Sequence, residues 1–249
     1  MTYCVGILVR DGLVVIADTR TNAGLDNIAT FRKLHVFEKP GEKFLALATA
    51  GNLAVSQAVV SLLNEGIKDP ETGRHETLLD QPSLFRAAQL TGRAIREVYA
   101  TDAHMLAETG ASFDVSVLLA GQVAGSPIRL FMLYKAGNFI EATVDTPYLQ
   151  VGEHKYGKPI LDRAVKFDTD LYDALKLGLI SMDSTMRSNL GVGLPIDMVV
   201  LRRGTLTPEV STRIEAGEPY FHDLRERWSA ALRAAHRAIP RPPYGPSSS

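Results

Sequence analysis

The sequence predicts an α+β fold with two stacked β-sheets and helices on both outer faces. The first reason is the order of the elements, which runs four strand-like segments, two helices, several strands, two helices and two strands. Strand runs that alternate with helix runs are typical of antiparallel sheets with segregated helices. The second reason is size, because 249 residues with 45% apolar content suffice for a single domain. The pattern alone supports only antiparallel α+β, and the order of the elements suggests two stacked sheets with helices outside both.

The chain opens with a predicted β-hairpin. Two apolar runs, residues 3–9 and 13–18, flank an Asp-Gly turn, which is a strong hairpin signal. Such a hairpin sets the carboxylate of Asp18 beside the start of the chain. There Thr2 follows Met1, and removal of Met1 leaves Thr2 with a free α-amine. A threonine in that position carries a nucleophilic hydroxyl and, with an amine pKa near 8, its own general base.

The next segment supplies a second candidate element of the site. A polar loop, Thr19–Thr30, leads to a third predicted strand, Phe31–Phe37, and a fourth, Lys43–Ala50, which ends at Gly51. Asn52 is a suitable N-cap for the helix that follows. Backbone N–H groups at such a strand-to-helix turn can bind an oxyanion, so Gly51 is a candidate oxyanion donor.

The remaining predicted elements follow from their periodicity. The helices are Asn52–Lys68, Gln81–Ala103, Lys158–Lys166, Leu171–Asn189 and an amphipathic segment, Tyr220–Ala238. The strands are Phe113–Gly121, Pro127–Tyr134, Asn138–Thr143, Ile196–Leu201 and Glu209–Ile214.

The first two predicted helices have more apolar positions than one buried face requires. These positions are Val55, Val59 and Val60 in the first helix and Phe85, Leu90 and Ile95 in the second. A helix on the outside of a sandwich needs only one apolar face, so the surplus predicts contacts with neighbouring subunits.

The composition excludes several classes of function. The formal net charge is −1 with both signs scattered, which argues against nucleic-acid binding. Apolar runs are too short to span a membrane, and no signal segment opens the chain. The single cysteine, Cys4, excludes an internal disulfide and favours a cytoplasmic location. The six histidines include no closely spaced pair and the glycines form no nucleotide-binding motif, so no metal and no cofactor are expected.

Several short strings together resemble one family. They are MTYCVG at 1–6, ADTRTNAG at 17–24, RKLHVF at 32–37 and AGNLA at 50–54. The stretch from Thr2 to Gly51 is similar to the catalytic half of a proteasome β-type subunit, an N-terminal-nucleophile hydrolase of the kind that includes the bacterial HslV peptidase. More closely, the strings resemble Anbu, a bacterial proteasome-homologous subfamily. The resemblance implies the four-layer αββα sandwich and extends to about Gly217.

The resemblance implies roles for the residues near Thr2. Asp18 would orient Lys33 and keep it charged, and Lys33 would assist deprotonation of Thr2. Because neighbours on a strand point in opposite directions, the alternative is that Arg32 faces the site. Lys33 is favoured, since arginine is too firmly protonated to exchange a proton.

The second half of the site departs from the family pattern. Glu153 stands at or near a position where proteasome-like subunits carry a serine, and Asn189 stands where they carry an aspartate. Val192 replaces a second serine, and a shifted alignment would bring Ser188 or Asp183 to these positions instead. A carboxylate from Glu153 would raise the pKa of the α-amine and weaken it as a base.

The sequence therefore predicts an N-terminal-threonine amide hydrolase, with a non-catalytic scaffold or binding chamber as the second hypothesis. The predicted organisation is a β-type domain at 1–217, a C-terminal helix at 218–239 and a disordered tail at 240–249. The resemblance implies a large homo-oligomeric ring or open spiral. It also implies neighbouring genes for ligase-like and transglutaminase-like proteins, which favour a peptide or isopeptide substrate. An ATPase partner is not specified.

Overall fold

A computed structural model describes residues 1–22, 28–70 and 72–244. The chain divides into two compact units, Met1–Ala216 and Gly217–Ser249. The first unit contains both large sheets, and the second contains the C-terminal helix. None of the helices in the described ranges is long and apolar enough to cross a membrane.

The strands and helices are numbered in chain order. The strands are β1 (Tyr3–Val9), β2 (Gly12–Asp18), β3 (Arg20–Asn22), β4 (Ile28–Thr30), β5 (Leu34–Lys39), β6 (Lys43–Gly51), β7 (Ile67–Lys68), β8 (His75–Glu76), β9 (Val115–Val123), β10 (Arg129–Leu133), β11 (Phe139–Glu141), β12 (Tyr148–Gly152), β13 (Ile196–Arg202) and β14 (Val210–Ile214). The helices are α1 (Leu53–Glu65), α2 (Leu84–Glu108), α3 (Lys158–Ala164), α4 (Leu171–Ser188) and α5 (Pro219–Ala238).

Two five-stranded antiparallel sheets form the centre of the first unit. One has the order β12-β1-β2-β13-β14, and the other has the order β11-β10-β9-β6-β5. Apolar side chains of β1, β2 and β13 pack against those of β6, β9 and β10 between the sheets. Helices α1 and α2 cover the outer face of the second sheet, and α4 lies on β1 and β2. The predicted four-layer αββα sandwich is confirmed.

Several element boundaries differ from the predicted ones. Strand β12 lies outside every predicted strand, and the predicted polar loop contains the short β3–β4 pair, with residues 23–27 outside the described part of the chain. Helix α2 begins at Leu84, later than predicted, because Ser83 is its N-cap and a 3₁₀ turn, Leu78–Asp80, precedes it. Of the predicted disordered tail, residues 245–249 lie outside the described residues.

The prediction of surplus apolar positions on α1 and α2 is wrong for five of its six residues. Val55, Val59, Val60, Leu90 and Ile95 are all buried within the first unit. The reason is that α1 and α2 pack against each other as well as against the sheet, so each helix buries two faces. Only Phe85 remains exposed, at 41%.

Candidate active site

The β1–β2 hairpin places Asp18 directly beside the residue that follows Thr2. The strands pair with Cys4 opposite Ala17, so Asp18 lies next to Tyr3. The Tyr3 N–H donates a hydrogen bond of 3.0 Å to Oδ1 of Asp18. On the other side of β2, Asp18 pairs with Ile196 of β13, and its side chain is completely buried. The carboxylate is therefore fixed by the central strands of the sheet.

Lys33, immediately before β5, points into this site. Its Nζ lies 2.9 Å from Oδ1 of Asp18 and donates to the carbonyl oxygens of Arg20 at 2.6 Å and Met1 at 3.3 Å. The Lys33 carbonyl accepts a hydrogen bond from the Thr49 N–H, which holds its backbone against β6. Arg32 is exposed. Of the two basic neighbours, Lys33 is thus the one that meets Asp18.

The buried Asp18 carboxylate is surrounded by donors. Burial raises its pKa above the ordinary value, and the Lys33 ammonium and the N–H groups of Tyr3 and Gly193 oppose that rise. The Gly193 N–H bonds Oδ2 at 3.3 Å. Hydrogen bonds and opposite charge favour the ionised form of a carboxyl group. The arrangement therefore places a compact ion pair next to the start of the chain.

Thr2 lies in the wall of a cavity of about 410 Å³. The residues that line this cavity are Met1, Thr2, Gly51, Asn52, Ser112, Asp114, Gly152 and Glu153. Thr2 is 7% exposed, because the hairpin and β12 enclose it on two sides. We refer to this space as the Thr2 cavity.

The backbone of Gly51 is oriented by the alternation of β6. The Asn52 N–H donates to the Asp114 carbonyl on the β9 side, and the Thr49 N–H donates to Lys33 on the β5 side. Successive N–H groups of a strand point to opposite sides. The Gly51 N–H therefore points to the same side as the Thr49 N–H, which is the side of β5. It lies past the start of β5 at Leu34, so no residue of that strand is opposite Gly51. Asn52 then caps α1, its Oδ1 accepting from the N–H groups of Ala54 and Val55.

Gly152 is a site residue that the sequence analysis missed. It has a φ of +82°, and a Cβ at this position would lie 2.0 Å from the Thr2 carbonyl oxygen. The next residue, Glu153, donates its N–H to the same oxygen at 2.7 Å. The only signal in the sequence is the glycine itself, since left-handed backbone and close approach both favour glycine.

Asn189 is hydrogen-bonded to Glu153, which lines the Thr2 cavity, although Asn189 itself does not line that cavity. The Asn189 Nδ2 donates to Oε2 of Glu153 at 2.9 Å, and Lys155 lies 3.8 Å from the same oxygen. Asn189 is the C-cap of α4, and its Oδ1 accepts from the Gly191 N–H. The two residues therefore form an amide–carboxylate pair where a hydroxyl and a carboxylate were expected.

The alternative residues lie elsewhere. Asp183 is buried within α4, and its Oδ2 accepts a hydrogen bond from Arg187 at 3.1 Å. Ser188 is exposed at the end of α4, and Val192 is buried and apolar. None of these three residues lines the Thr2 cavity.

A second buried network supports the strand that carries Thr2. The Tyr3 hydroxyl lies 2.6 Å from the Ser181 hydroxyl and accepts a hydrogen bond from the Gln150 amide. Burial raises the pKa of Tyr3, so the phenol stays neutral.

Burial also raises the pKa of Cys4, whose Sγ contacts the Thr49 carbonyl, and this thiol is unsuited to be a nucleophile. Within the described ranges, no group of three or more His, Cys, Asp and Glu side chains is placed to hold a metal ion.

Solved structures resemble this chain over nearly its whole length. Anbu (ancestral beta-subunit) from Yersinia bercovieri is 45% identical, with a TM-score of 0.89, and the match covers 98% of this chain and 100% of that one. This chain belongs to the Anbu family. Anbu from Hyphomicrobium sp. strain MC1 is 48% identical with a TM-score of 0.87, and the match covers 96% of this chain and 98% of that one.

A third Anbu structure is described as the helical assembly of the Anbu complex from Pseudomonas aeruginosa. It is 47% identical with a TM-score of 0.88, and the match covers 97% of this chain and 98% of that one. No protein-family model and no curated protein matches the chain. The resemblance to Anbu, a proteasome-like β-subunit, is confirmed by the structural matches.

Proposed function

We propose that this Anbu subunit is an N-terminal-threonine amide hydrolase with Thr2 as its nucleophile. The observation that carries the proposal is the buried Lys33–Asp18 ion pair beside Thr2, with the Lys33 Nζ 3.3 Å from the carbonyl oxygen of Met1. Hydrolysis of the Met1–Thr2 amide releases methionine and leaves the Thr2 nitrogen as a free α-amine. The free α-amine then lies near the Lys33 ammonium, which favours the neutral amine that a general base requires.

The proposed reaction proceeds through an ester of Thr2. The Thr2 hydroxyl attacks the amide carbonyl while the α-amine takes its proton, and the Gly51 N–H binds the resulting oxyanion. Collapse breaks the C–N bond, and the leaving amine receives the proton from the α-ammonium. A water molecule then attacks the ester with the α-amine again as base, which releases the carboxylic acid and restores Thr2. Lys33, held by Asp18, stabilises negative charge on the Thr2 oxygen as it attacks the amide and as it leaves the ester.

We further infer that the subunit works within a homo-oligomeric ring or open spiral in the cytoplasm. The helical assembly of the relative from Pseudomonas aeruginosa supports this inference. A chamber formed by many subunits would confine peptide or isopeptide substrates near the Thr2 cavities. No nucleic-acid or membrane partner is expected.

An epoxyketone tests the nucleophile, because its ketone is attacked by the Thr2 hydroxyl and its epoxide is then opened by the α-amine. Intact mass spectrometry should show loss of Met1 and a gain equal to the whole mass of the reagent. Peptide mapping should place the adduct on Thr2, and the Thr2→Ala protein should assemble without taking the reagent. Active protein that retains Met1 would falsify the mechanism.

One observation favours a second function, that of a non-catalytic binding chamber. Glu153 is held by Asn189 where related subunits carry a hydroxyl, and this carboxylate favours the protonated α-amine. Under this alternative the protein loses Met1 and binds peptides, but an excess of epoxyketone leaves Thr2 unmodified over a wide pH range.

A further inference from the structure

Strand β12 forms one edge of its sheet, next to Thr2. Its one neighbour in the sheet order is β1, so the other side of the strand has no partner strand within the described ranges. An edge strand presents a row of backbone donors and acceptors that can pair with another extended chain. The position of this edge relative to the site determines what can bind there.

The hydrogen-bonding pattern between β1 and β12 shows which backbone groups of β12 point outward. The Leu8 N–H donates to the Pro147 carbonyl, and the Glu153 N–H donates to the Thr2 carbonyl. In an antiparallel pair every second residue takes part in the ladder, so the odd-numbered residues of this run face β1. The backbone groups of Tyr148, Gln150 and Gly152 therefore point away from β1. The Gly152 carbonyl already accepts the His154 N–H, which marks the end of the outward row.

A second cavity lies along this outward edge. It has a volume of about 480 Å³ and is lined by all five residues of β12. Gly51, Asp114 and Gly152 line both this cavity and the Thr2 cavity, so the two spaces adjoin. We call it the edge cavity.

The floor of the edge cavity is formed by the second sheet. Ala50 and Ser116 pair across β6 and β9, and Met132 and Tyr134 belong to β10 and the residue after it. Leu149 contributes an apolar wall from β12. These floor and wall residues are apolar apart from the hydroxyl groups of Ser116 and Tyr134, and they suit an uncharged side chain of moderate size.

At one rim of the edge cavity, Tyr148 and Lys158 are held in place. The Tyr148 hydroxyl donates to Asp162, and the Lys158 ammonium lies 2.6 Å from Oδ1 of the same carboxylate. Burial raises the pKa of Tyr148, so its hydroxyl remains protonated and continues to donate. At this rim the Tyr148 and Lys158 side chains are already bonded to Asp162. A bound chain would therefore pair mainly with the outward backbone N–H and C=O groups of β12.

From these contacts we propose that an extended segment of the substrate pairs with the outward edge of β12 and places one apolar side chain in the edge cavity. The proposal rests on the proposed function, because it assigns the bound chain to the substrate of Thr2. Pairing with Tyr148 and Gln150 would hold the segment by main-chain hydrogen bonds, and the scissile amide would then lie beyond Gly152, next to Thr2. Main-chain pairing of this kind recognises an extended chain and leaves selectivity to the cavity.

Peptide binding to the assembled Thr2→Ala protein tests the proposal independently of catalysis. The probe is a fluorescein-labelled heptapeptide, Thr-Val-Thr-Leu-Thr-Val-Thr, whose binding is followed by fluorescence anisotropy. Two further versions carry N-methyl groups either on the odd or on the even residues. Strand addition predicts that one version binds at least roughly tenfold more weakly while the other changes less than about threefold. Equal effects of the two methylation patterns overturn the proposal.

Variants of Gln150 test the protein side of the pairing. Gln150→Pro removes the outward N–H without removing a β1 ladder bond, whereas Gln150→Ala keeps that N–H and removes the same side-chain contacts. The proline variant should bind the heptapeptide at least roughly tenfold more weakly than the alanine variant. Equal affinities of the two variants overturn the proposal.

Epoxyketone labelling of Thr2 separates this proposal from the proposed function. Labelling together with equal methylation effects retains the hydrolase and rejects the strand pairing. Alternating methylation effects without labelling retain the strand pairing as a binding mode and reject the hydrolase.

Discussion

The Lys33 Nζ lies 2.9 Å from Oδ1 of Asp18, and the two side chains are only 5% and 0% exposed. A buried ion pair gains little stability over apolar residues, because desolvation of both charges offsets their attraction. The pair contacts the residues on both sides of Thr2, because Asp18 accepts from the Tyr3 N–H and Lys33 donates to the Met1 carbonyl. This position suits a catalytic role better than a stabilising one.

Substitution of Lys33 should abolish epoxyketone labelling, whereas Arg32→Ala should leave it largely intact. Lys33→Ala also leaves the Asp18 carboxylate buried without its cation, so it should lower the free energy of unfolding by about 3–5 kcal/mol. The double variant Lys33→Met, Asp18→Asn removes both charges and should recover much of that stability while remaining unlabelled. Denaturant unfolding and intact mass spectrometry measure the two effects. Restored labelling in the double variant would show that the pair is structural.

Replacement of Gly152 by alanine should displace Thr2. The added Cβ would lie 2.0 Å from the Thr2 carbonyl oxygen, and the φ of +82° adds strain. Gly125 offers a matched control, because its φ is +72° and nothing lies within 4 Å of its added Cβ. Gly125→Ala should cost about 1–2 kcal/mol and keep labelling intact. Gly152→Ala should cost clearly more and lose labelling, and equal losses of stability would contradict the close approach.

The sequence was most informative where the structure depends on local signals. The Asp-Gly turn sets the β1–β2 register, which places Asp18 beside Tyr3. Lys33 was favoured over Arg32 because arginine is too firmly protonated to exchange a proton, and Lys33 is the residue that meets Asp18. The contact between Gly152 and Thr2 could not be predicted, because it requires β12 to pair with a strand distant in the chain. Tertiary packing decides such pairings.

The same limit applies to the helices. The periodicity of a helix shows how wide its apolar face is, but not how many other elements pack against it. Val60 and Leu90 were therefore predicted to be surplus apolar positions. In the fold, α1 and α2 bury these residues against each other and the sheet.

Neutralisation of Glu153 should move the pH dependence of labelling to lower pH. A carboxylate in the Thr2 cavity favours the protonated α-amine, so its removal makes the free amine available at lower pH. Glu153→Gln keeps an oxygen that can accept from Asn189, so the cavity should retain its shape. The rate of epoxyketone labelling is measured against pH, with Glu42→Gln as an exposed control. A shift to higher pH would contradict this role of Glu153.

Acidification should destabilise the protein through His35. Burial lowers the pKa of His35 below its ordinary value of 6.5; Arg32 lowers it further and Asp197 opposes the change. The unfolded chain therefore binds more protons between the depressed folded-state pKa and 6.5, so the free energy of unfolding falls as pH falls through that window.

The His35→Gln protein should lose less stability than wild type between about pH 7.5 and about pH 5.5, as measured by denaturant unfolding. His104, whose side chain is 82% exposed, provides the control substitution His104→Gln, which should behave like wild type. Identical pH dependence in wild type and His35→Gln would contradict the assignment.

Assembly should depend on the outward face of α2. With most apolar residues of α1 and α2 buried inside the subunit, the exposed large apolar side chains of the two helices are Phe85 at 41%, Tyr99 at 54% and Met105 at 60%, all on α2. An apolar surface of this kind favours contact with a neighbouring subunit, and a charge placed there must be desolvated when the contact forms. The wild-type protein should therefore form a species far larger than a dimer by light scattering, and Tyr99→Glu with Met105→Glu should shift it to smaller species.

Val144 provides the matched control for this change, since it is 63% exposed but lies in the bend between β11 and β12 and not on a helix. Val144→Glu should leave the size of the assembly unchanged, because no apolar helix face is altered. Circular dichroism should show that both variants stay folded, as exposed substitutions change stability little. A wild-type protein that is monomeric at micromolar concentration, or an assembly equally sensitive to Val144→Glu, would contradict the assignment of this face.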